Sequence, residues 1–189
     1  MLAYVFWHWA DSDQAAERYE NLLRHFHRAL VAHPPEGFRG SAALRVAGAG
    51  WLPQSRGYED WYLIEDFAAL GTLNEAAVSG RRKEPHDEVA QLAHGGTAGV
   101  YRLIAGRPEF TAMRWATWIS KPPGTSYSEF YDQLRPWPER PETTLWQRQM
   151  VLGPTTEFCL QSRERVELPE QFESAAVEVA PMWSEMISR

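Results

Sequence analysis

A single cysteine, Cys159, stands in the 189 residues, which excludes an intrachain disulfide framework and any multi-cysteine zinc or iron–sulfur site. A reducing compartment is expected. Lysine is nearly absent, with only Lys83 and Lys121, and 25 acidic against 19 basic side chains leave a formal charge of -6. That balance argues against a nucleic-acid partner, because phosphate binding needs a clustered positive footprint. Long apolar runs are missing as well. The opening MLAYVFWHWADSDQ has no basic leader and turns acidic after a short apolar stretch. Neither a signal peptide nor a membrane span is therefore expected, and the expected location is cytoplasmic. There is no Gly-rich phosphate loop and no Gly-x-Ser-x-Gly elbow, and Cys159 has no evident histidine partner in sequence. Aromatic residues abound instead, with nine Trp, seven Tyr and eight Phe. Tryptophan is costly to bury unless its N–H finds an acceptor.

The β-rich run 3–9 reads as a first strand that stops at Asp11-Ser12-Asp13, each a competent N-cap for a helix over 14–32. In that helix Tyr19, Leu22, Leu23, Phe26 and Leu30 recur at three and four residues and make one apolar stripe. His25 and His27 lie about 200° apart on the wheel and read as residues flanking the stripe. Strands follow at 38–46 and 58–67, a helix at 68–78, a short helix opened by Pro85 and closed by Gly95-Gly96, and a strand at 100–105. The order is β-α-β-β-α-β, the split-βαβ arrangement of ferredoxin-like units.

The chain then repeats itself. AYVFWHW (3–9) aligns with AMRWATW (112–118) and RYENLLRHF (18–26) with EFYDQLRPW (129–137), at offsets of 109 and 111. Further strands at 145–152, 157–162 and 174–179 complete a second β-α-β-β-β half whose last helix is reduced. Two ferredoxin-like repeats, 1–108 and 109–189, are expected. Such a tandem, with the third strand running straight into a helix as WYLIEDFAALGTLNEAA (61–77), resembles the dimeric α+β barrel superfamily. The resemblance implies an α+β fold in which two antiparallel sheets face each other as a barrel with helices outside. The superfamily includes cofactor-free monooxygenases, isomerases, dehydratase-like and stress-response proteins, and haem-binding branches. A fold that hosts so many activities leaves function to the site. Whether the barrel closes within one chain or a homodimer forms stays open.

Alternate residues of the first and fifth strands point to opposite faces. Tyr4, Phe6 and His8 share one parity with Met113, Trp115 and Thr117; Val5, Trp7 and Trp9 share the other with Arg114, Ala116 and Trp118. The polar-tipped first set suits a ligand space inside the barrel. His8 is the candidate base, since a free imidazole titrates near neutrality. Tyr4, Phe6, Tyr62, Arg114 and Trp115 are the candidate ligand-binding residues, with Arg114 able to stack on an indole or hold a carboxylate. A core histidine satisfied by backbone is the plainer reading of His8. Glu65 and Asp66 point to opposite faces, and one of them caps the next helix. Tyr127, Tyr131 and Trp137 read as core, as does Cys159. No metal site is expected.

The expected function is binding of a small apolar or aromatic molecule, with cofactor-independent monooxygenation or isomerisation as the chemistry and no cofactor required. The alternative is a non-catalytic ligand-binding or assembly protein of the same fold. A haem-binding member is a third, with His94 as the axial residue to propose. A pocket of about 300 Å³ or more favours ligand binding, and a solid aromatic interior disfavours it.

Overall fold

A computed structural model describes residues 1–10, 16–53 and 56–187. Eight strands carry the fold: β1 (Leu2–Ala10), β2 (Phe38–Ala47), β3 (Arg56–Ile64), β4 (Ala93–Gly106), β5 (Trp115–Ile119), β6 (Thr144–Arg148), β7 (Phe158–Ser162) and β8 (Ser174–Met186). Helices α1 (Ala16–Ala32), α2 (Phe67–Ala77), α3 (Lys83–Ala90) and α4 (Tyr127–Leu134) connect them, with a 3-10 turn at Gly80–Arg82 before α3. The strands close into one barrel in the order β1-β3-β2-β8-β5-β7-β6-β4, with β4 returning to β1. Every pairing is antiparallel. The first half contributes β4-β1-β3-β2 and the second β6-β7-β5-β8, so each half has the strand order of a ferredoxin-like unit. The halves meet edge to edge through β2·β8 and β4·β6, which leaves no open sheet edge.

The residues facing inward settle the parity of β1. Ala3, Val5 and Trp7 point into the barrel with Trp61, Tyr101, Trp118 and Trp146, all fully buried. An eight-stranded barrel is just wide enough to be filled by side chains, and these indoles fill it. The interior therefore does not supply the expected ligand space. Tyr4, Phe6 and His8 face outward, beneath the helices of the first half, and pack with Tyr58, Tyr62 and Val100. The expectation that the polar-tipped face lines the barrel is corrected: bulk apolar area goes to the closed interior, and the tips go where helices leave room.

Helix α1 lies on that outer face through Tyr19, Leu23, Phe26 and Leu30, as its periodicity predicts. His27 falls inside the stripe, four residues after Leu23 and three before Leu30, and is fully buried; His25 is exposed near Glu88. The proposed caps Asp11, Ser12 and Asp13 lie outside the described residues. Asp66 caps α2 by accepting from the Ala69 N–H at 2.9 Å. In α4 a capping box joins Ser126 and Glu129, and Phe130 and Leu134 are its buried residues. Tyr131 and Trp137 flank that core, whereas Tyr127 is exposed and donates to Glu157. Cys159 is a buried strand residue, as expected.

Two strands run further than their composition suggests. In β4 the pair Gly95-Gly96 continues the strand because the rings of Trp9 and Phe6 lie over those positions, where a Cβ would sit 2.6 and 2.4 Å from ring carbons. β8 passes through Pro181, and the register shift opposite Ala43/Leu44 accommodates it. Gly106 ends β4 at the joint between the halves with φ +84°, and a Cβ there would come within 2.2 Å of the Thr143 carbonyl oxygen. Gly106→Ala combines a left-handed backbone with an immovable neighbour and is expected to cost about 2–4 kcal/mol. Urea unfolding checks this, and a loss below about 0.5 kcal/mol would contradict it.

Candidate functional site

A cavity of about 640 Å³ lies between the outer face of the first half's sheet and the helices above it. β1 and β3 supply its floor with Tyr4, Phe6, His8, Asp60 and Tyr62. Tyr19, Leu23 and Phe26 of α1 form one wall, Leu70 and Leu73 of α2 another, and His86 of α3 a third. Phe67, Gly71, Asn74 and Val78 lie at its exposed margin. Apolar walls with a few converging polar groups are what a small-molecule site requires.

The polar groups gather on one carboxylate. Asp60 sits at the centre of β3, fully enclosed, with the His8 Nε2 at 3.2 Å and the His27 Nε2 at 3.3 Å from the same oxygen, Oδ2. The Tyr62 hydroxyl donates to that oxygen at 2.8 Å. Both imidazole contacts are ion-pair approaches rather than aligned hydrogen bonds, and the other oxygen, Oδ1, has no hydrogen-bond partner among the described residues. A carboxylate only accepts, so the proton of each neutral ring is assigned to Nε2. Each Nδ1 is then an acceptor: the Tyr19 hydroxyl lies 2.6 Å from that of His8, and the Ser41 hydroxyl 2.8 Å from that of His27.

Aromatic neighbours fix both rings. His8 lies between Phe6 (centroids 5.1 Å apart) and its cross-strand partner Tyr58 (5.5 Å), and His27 stacks on Tyr62 at 5.1 Å. Behind them the Tyr58 hydroxyl approaches Glu20, which Arg45 holds with two hydrogen bonds of 2.5 and 2.6 Å.

The electrostatics follow from this placement. Burial opposes ionisation of Asp60, yet His8 and His27 hold its carboxyl well below the usual carboxylate range. The same burial, with the charge of Asp60 added, pushes the Tyr19 and Tyr62 phenols up, so both remain protonated at neutral pH. Tyr4 shifts in the same direction for the same two reasons. The result is a desolvated anion flanked by two imidazoles and by phenols held as donors.

Of the residues singled out in the sequence, Tyr4, Phe6, His8 and Tyr62 meet in this cavity. Arg114 and Trp115 do not line it. β5 stands four places from β1 in the barrel order, on the opposite side. Arg114 is exposed there and donates to the carbonyls of Thr111 and Met113, and Trp115 lies under the guanidinium of Arg165. His94 is exposed and is likewise not a lining residue. Sequence reasoning missed Tyr19, His27, Ser41 and Asp60 as members of the cluster. One signal was present: an acidic pair in mid-strand within Tyr58-Glu59-Asp60-Trp61-Tyr62, where burial demands a partner for each acid. Among the described residues no group of three or more His, Cys, Asp or Glu side chains is placed to hold a metal ion.

The sequence matches no protein-family model and no curated protein. Solved structures do match. A candidate monooxygenase from Fusobacterium nucleatum aligns over 98% of this chain and 94% of its own, with a TM-score of 0.65 and 9% identity. A second candidate monooxygenase, from Lactobacillus acidophilus, covers 99% of both chains with a TM-score of 0.62 and 6% identity. The shared fold is a closed antiparallel eight-stranded α+β barrel. An anthrone oxidase-like protein shares it over 98% of this chain and 92% of its own, with a TM-score of 0.56 and 11% identity. At such identities the shared α+β barrel speaks for chain path alone. Among the described residues no helix of this barrel is long and apolar enough to cross a membrane.

Proposed function

We propose that the cavity binds a small, flat, largely aromatic molecule and removes a proton from it, in a cofactor-independent oxygenation or isomerisation. The observation that carries this reading is the buried Asp60 carboxylate, gripped by two imidazoles on the floor of an apolar cavity. Asp60 orients His8 and stabilises the imidazolium that forms when a proton arrives, as a buried carboxylate does for a general base. Apolar walls strip water from the substrate anion and raise its reactivity. An anion stabilised by an adjacent carbonyl and aromatic rings can pass an electron to dioxygen. Recombination gives a hydroperoxide that loses water, so a methylene group and one dioxygen become a carbonyl group and one water, with dioxygen as the sole oxidant. Isomerisation uses the same proton removal and returns the proton at another carbon.

The two solved monooxygenase-type neighbours and the anthrone oxidase-like one support oxygenation as the first reaction to test. With anthrone as probe in air-saturated buffer, the protein is expected to consume one dioxygen per anthrone and yield anthraquinone. His8→Ala is expected to lower kcat by roughly 10²–10⁴-fold. An oxygen electrode and product absorbance measure both. Anthrone oxidation no faster than in protein-free buffer, together with no binding of anthrone by calorimetry, would contradict the reading.

A further inference from the structure

Neither ring nitrogen of His8 is left accessible. Its Nε2 is buried against Asp60 and its Nδ1 is taken by the Tyr19 hydroxyl at 2.6 Å, so a molecule in the cavity cannot reach the base directly. Tyr19 and His8 come from different elements, α1 and β1, and the register that buries Leu23 and Phe26 brings the phenol onto the imidazole. Tyr19 lines the cavity itself. From this chain of contacts we infer that Tyr19 is the group that meets the ligand, and that protons pass between ligand and His8 through its hydroxyl.

The inference rests on the cavity being a ligand site. The step balances without further reactants. The ligand's O–H or C–H proton moves to the Tyr19 oxygen as the Tyr19 proton moves to His8 Nδ1. A neutral imidazole becomes an imidazolium whose Nε2–H still faces the Asp60 carboxylate, and the ligand is left as an anion. Tyr19 ends as it began, a phenol. That agrees with the burial and the neighbouring Asp60 charge that keep it protonated at rest. The groups facing it are His8, with ring centroids 5.6 Å apart, Tyr58 at 5.0 Å, and the charge of Asp60. None of these is a cation when His8 is neutral, so a tyrosinate would find no compensation, whereas a hydroxyl that passes protons through needs none. Ser41 holds the corresponding position on His27, but Ser41 does not line the cavity, so the second imidazole has no such outlet.

The test uses 3-nitrophenol, whose absorbance separates bound phenol from bound phenolate, about one pH unit below its free pKa and so above the ordinary imidazole range. The wild-type chain is expected to bind it as phenolate, with the His8 imidazole becoming doubly protonated by 15N NMR. Tyr19→Phe is expected to bind it as the neutral phenol, with the ionised fraction down at least tenfold and the His8 ring unchanged on binding. Ionisation in Tyr19→Phe equal to wild type would overturn the relay. So would wild-type binding as phenolate without protonation of His8 Nδ1, a readout that does not depend on the variant folding. Binding as neutral phenol by the wild type would overturn it too. Failure of the wild type to bind the probe at all is a different result and would remove the cavity reading underneath.

Discussion

Asp60→Ala is expected to destabilise the fold by about 3–5 kcal/mol. Removing the carboxylate leaves the His8 and His27 rings buried without their shared anion and takes the acceptor from the Tyr62 hydroxyl. Each stranded polar group costs roughly 1–3 kcal/mol when water cannot replace the partner. Asp60→Asn keeps an oxygen for Tyr62 and surrenders the charge, so an intermediate loss is expected. The pH dependence has a definite sign. The folded carboxyl is held below its ordinary value. Its contribution is therefore complete above about pH 4 and disappears as pH falls through the lower folded value. Urea titrations at pH 7 and at pH 3 should show the gap between wild type and Asp60→Asn closing toward the acid side. A loss under about 1 kcal/mol for Asp60→Ala at pH 7 would mean that the cluster is not a structural unit.

Much of the fold was legible because it rests on local rules. The alternation and stripe of 3–32 and a capping acid at Glu65-Asp66 are written in neighbouring residues, and the same elements follow in the same order. The strand ends were less legible where ring-over-glycine packing or a bulge opposite proline decides the outcome, as in β4 and β8. The parity of β1 was harder still. Period-two alternation says that Tyr4, Phe6 and His8 share a face but not which face is inside, and closure around Trp7, Trp61, Trp118 and Trp146 decides it. His27 illustrates the same limit. An imidazole on a helix reads as marginal until a carboxylate on another strand is placed beside it, and the pairing of α1 with Asp60 spans more than thirty residues of sequence. Arg114 and Trp115 stand away from the cavity for a topological reason, since the strand that equivalent spacing assigns to them closes the far wall.

Glu59 provides the second large effect, on the other face of the same strand. Inside the barrel its two oxygens accept the indole N–H groups of Trp7, at 2.6 Å, and Trp61. Full burial pushes its carboxyl up to about 7 despite those two donors, and the charge of Asp60 next door adds to the rise. The sign is the reverse of that for Asp60. Between its ordinary value near 4.5 and about 7 the folded chain keeps a proton that the unfolded chain has lost. Stability therefore declines across that interval and levels off above it, by about 3 kcal/mol in all. Glu59→Gln cannot titrate, so its unfolding midpoint in urea should vary less between pH 5 and pH 8, and subtracting its curve from that of wild type isolates Glu59 from every other group. Equal slopes for the two proteins would show that Glu59 does not titrate in this range. Glu59→Leu separates charge from hydrogen bonding: it abolishes the slope as well but leaves two buried indoles without an acceptor, costing about 1–3 kcal/mol for each at every pH. Trp51 and Trp118 already stand without an acceptor among the described residues. The Glu59 carboxyl group is kept in the barrel as an acceptor for two indoles, and the cost of its charge appears only when the solution is basic enough to ionise it.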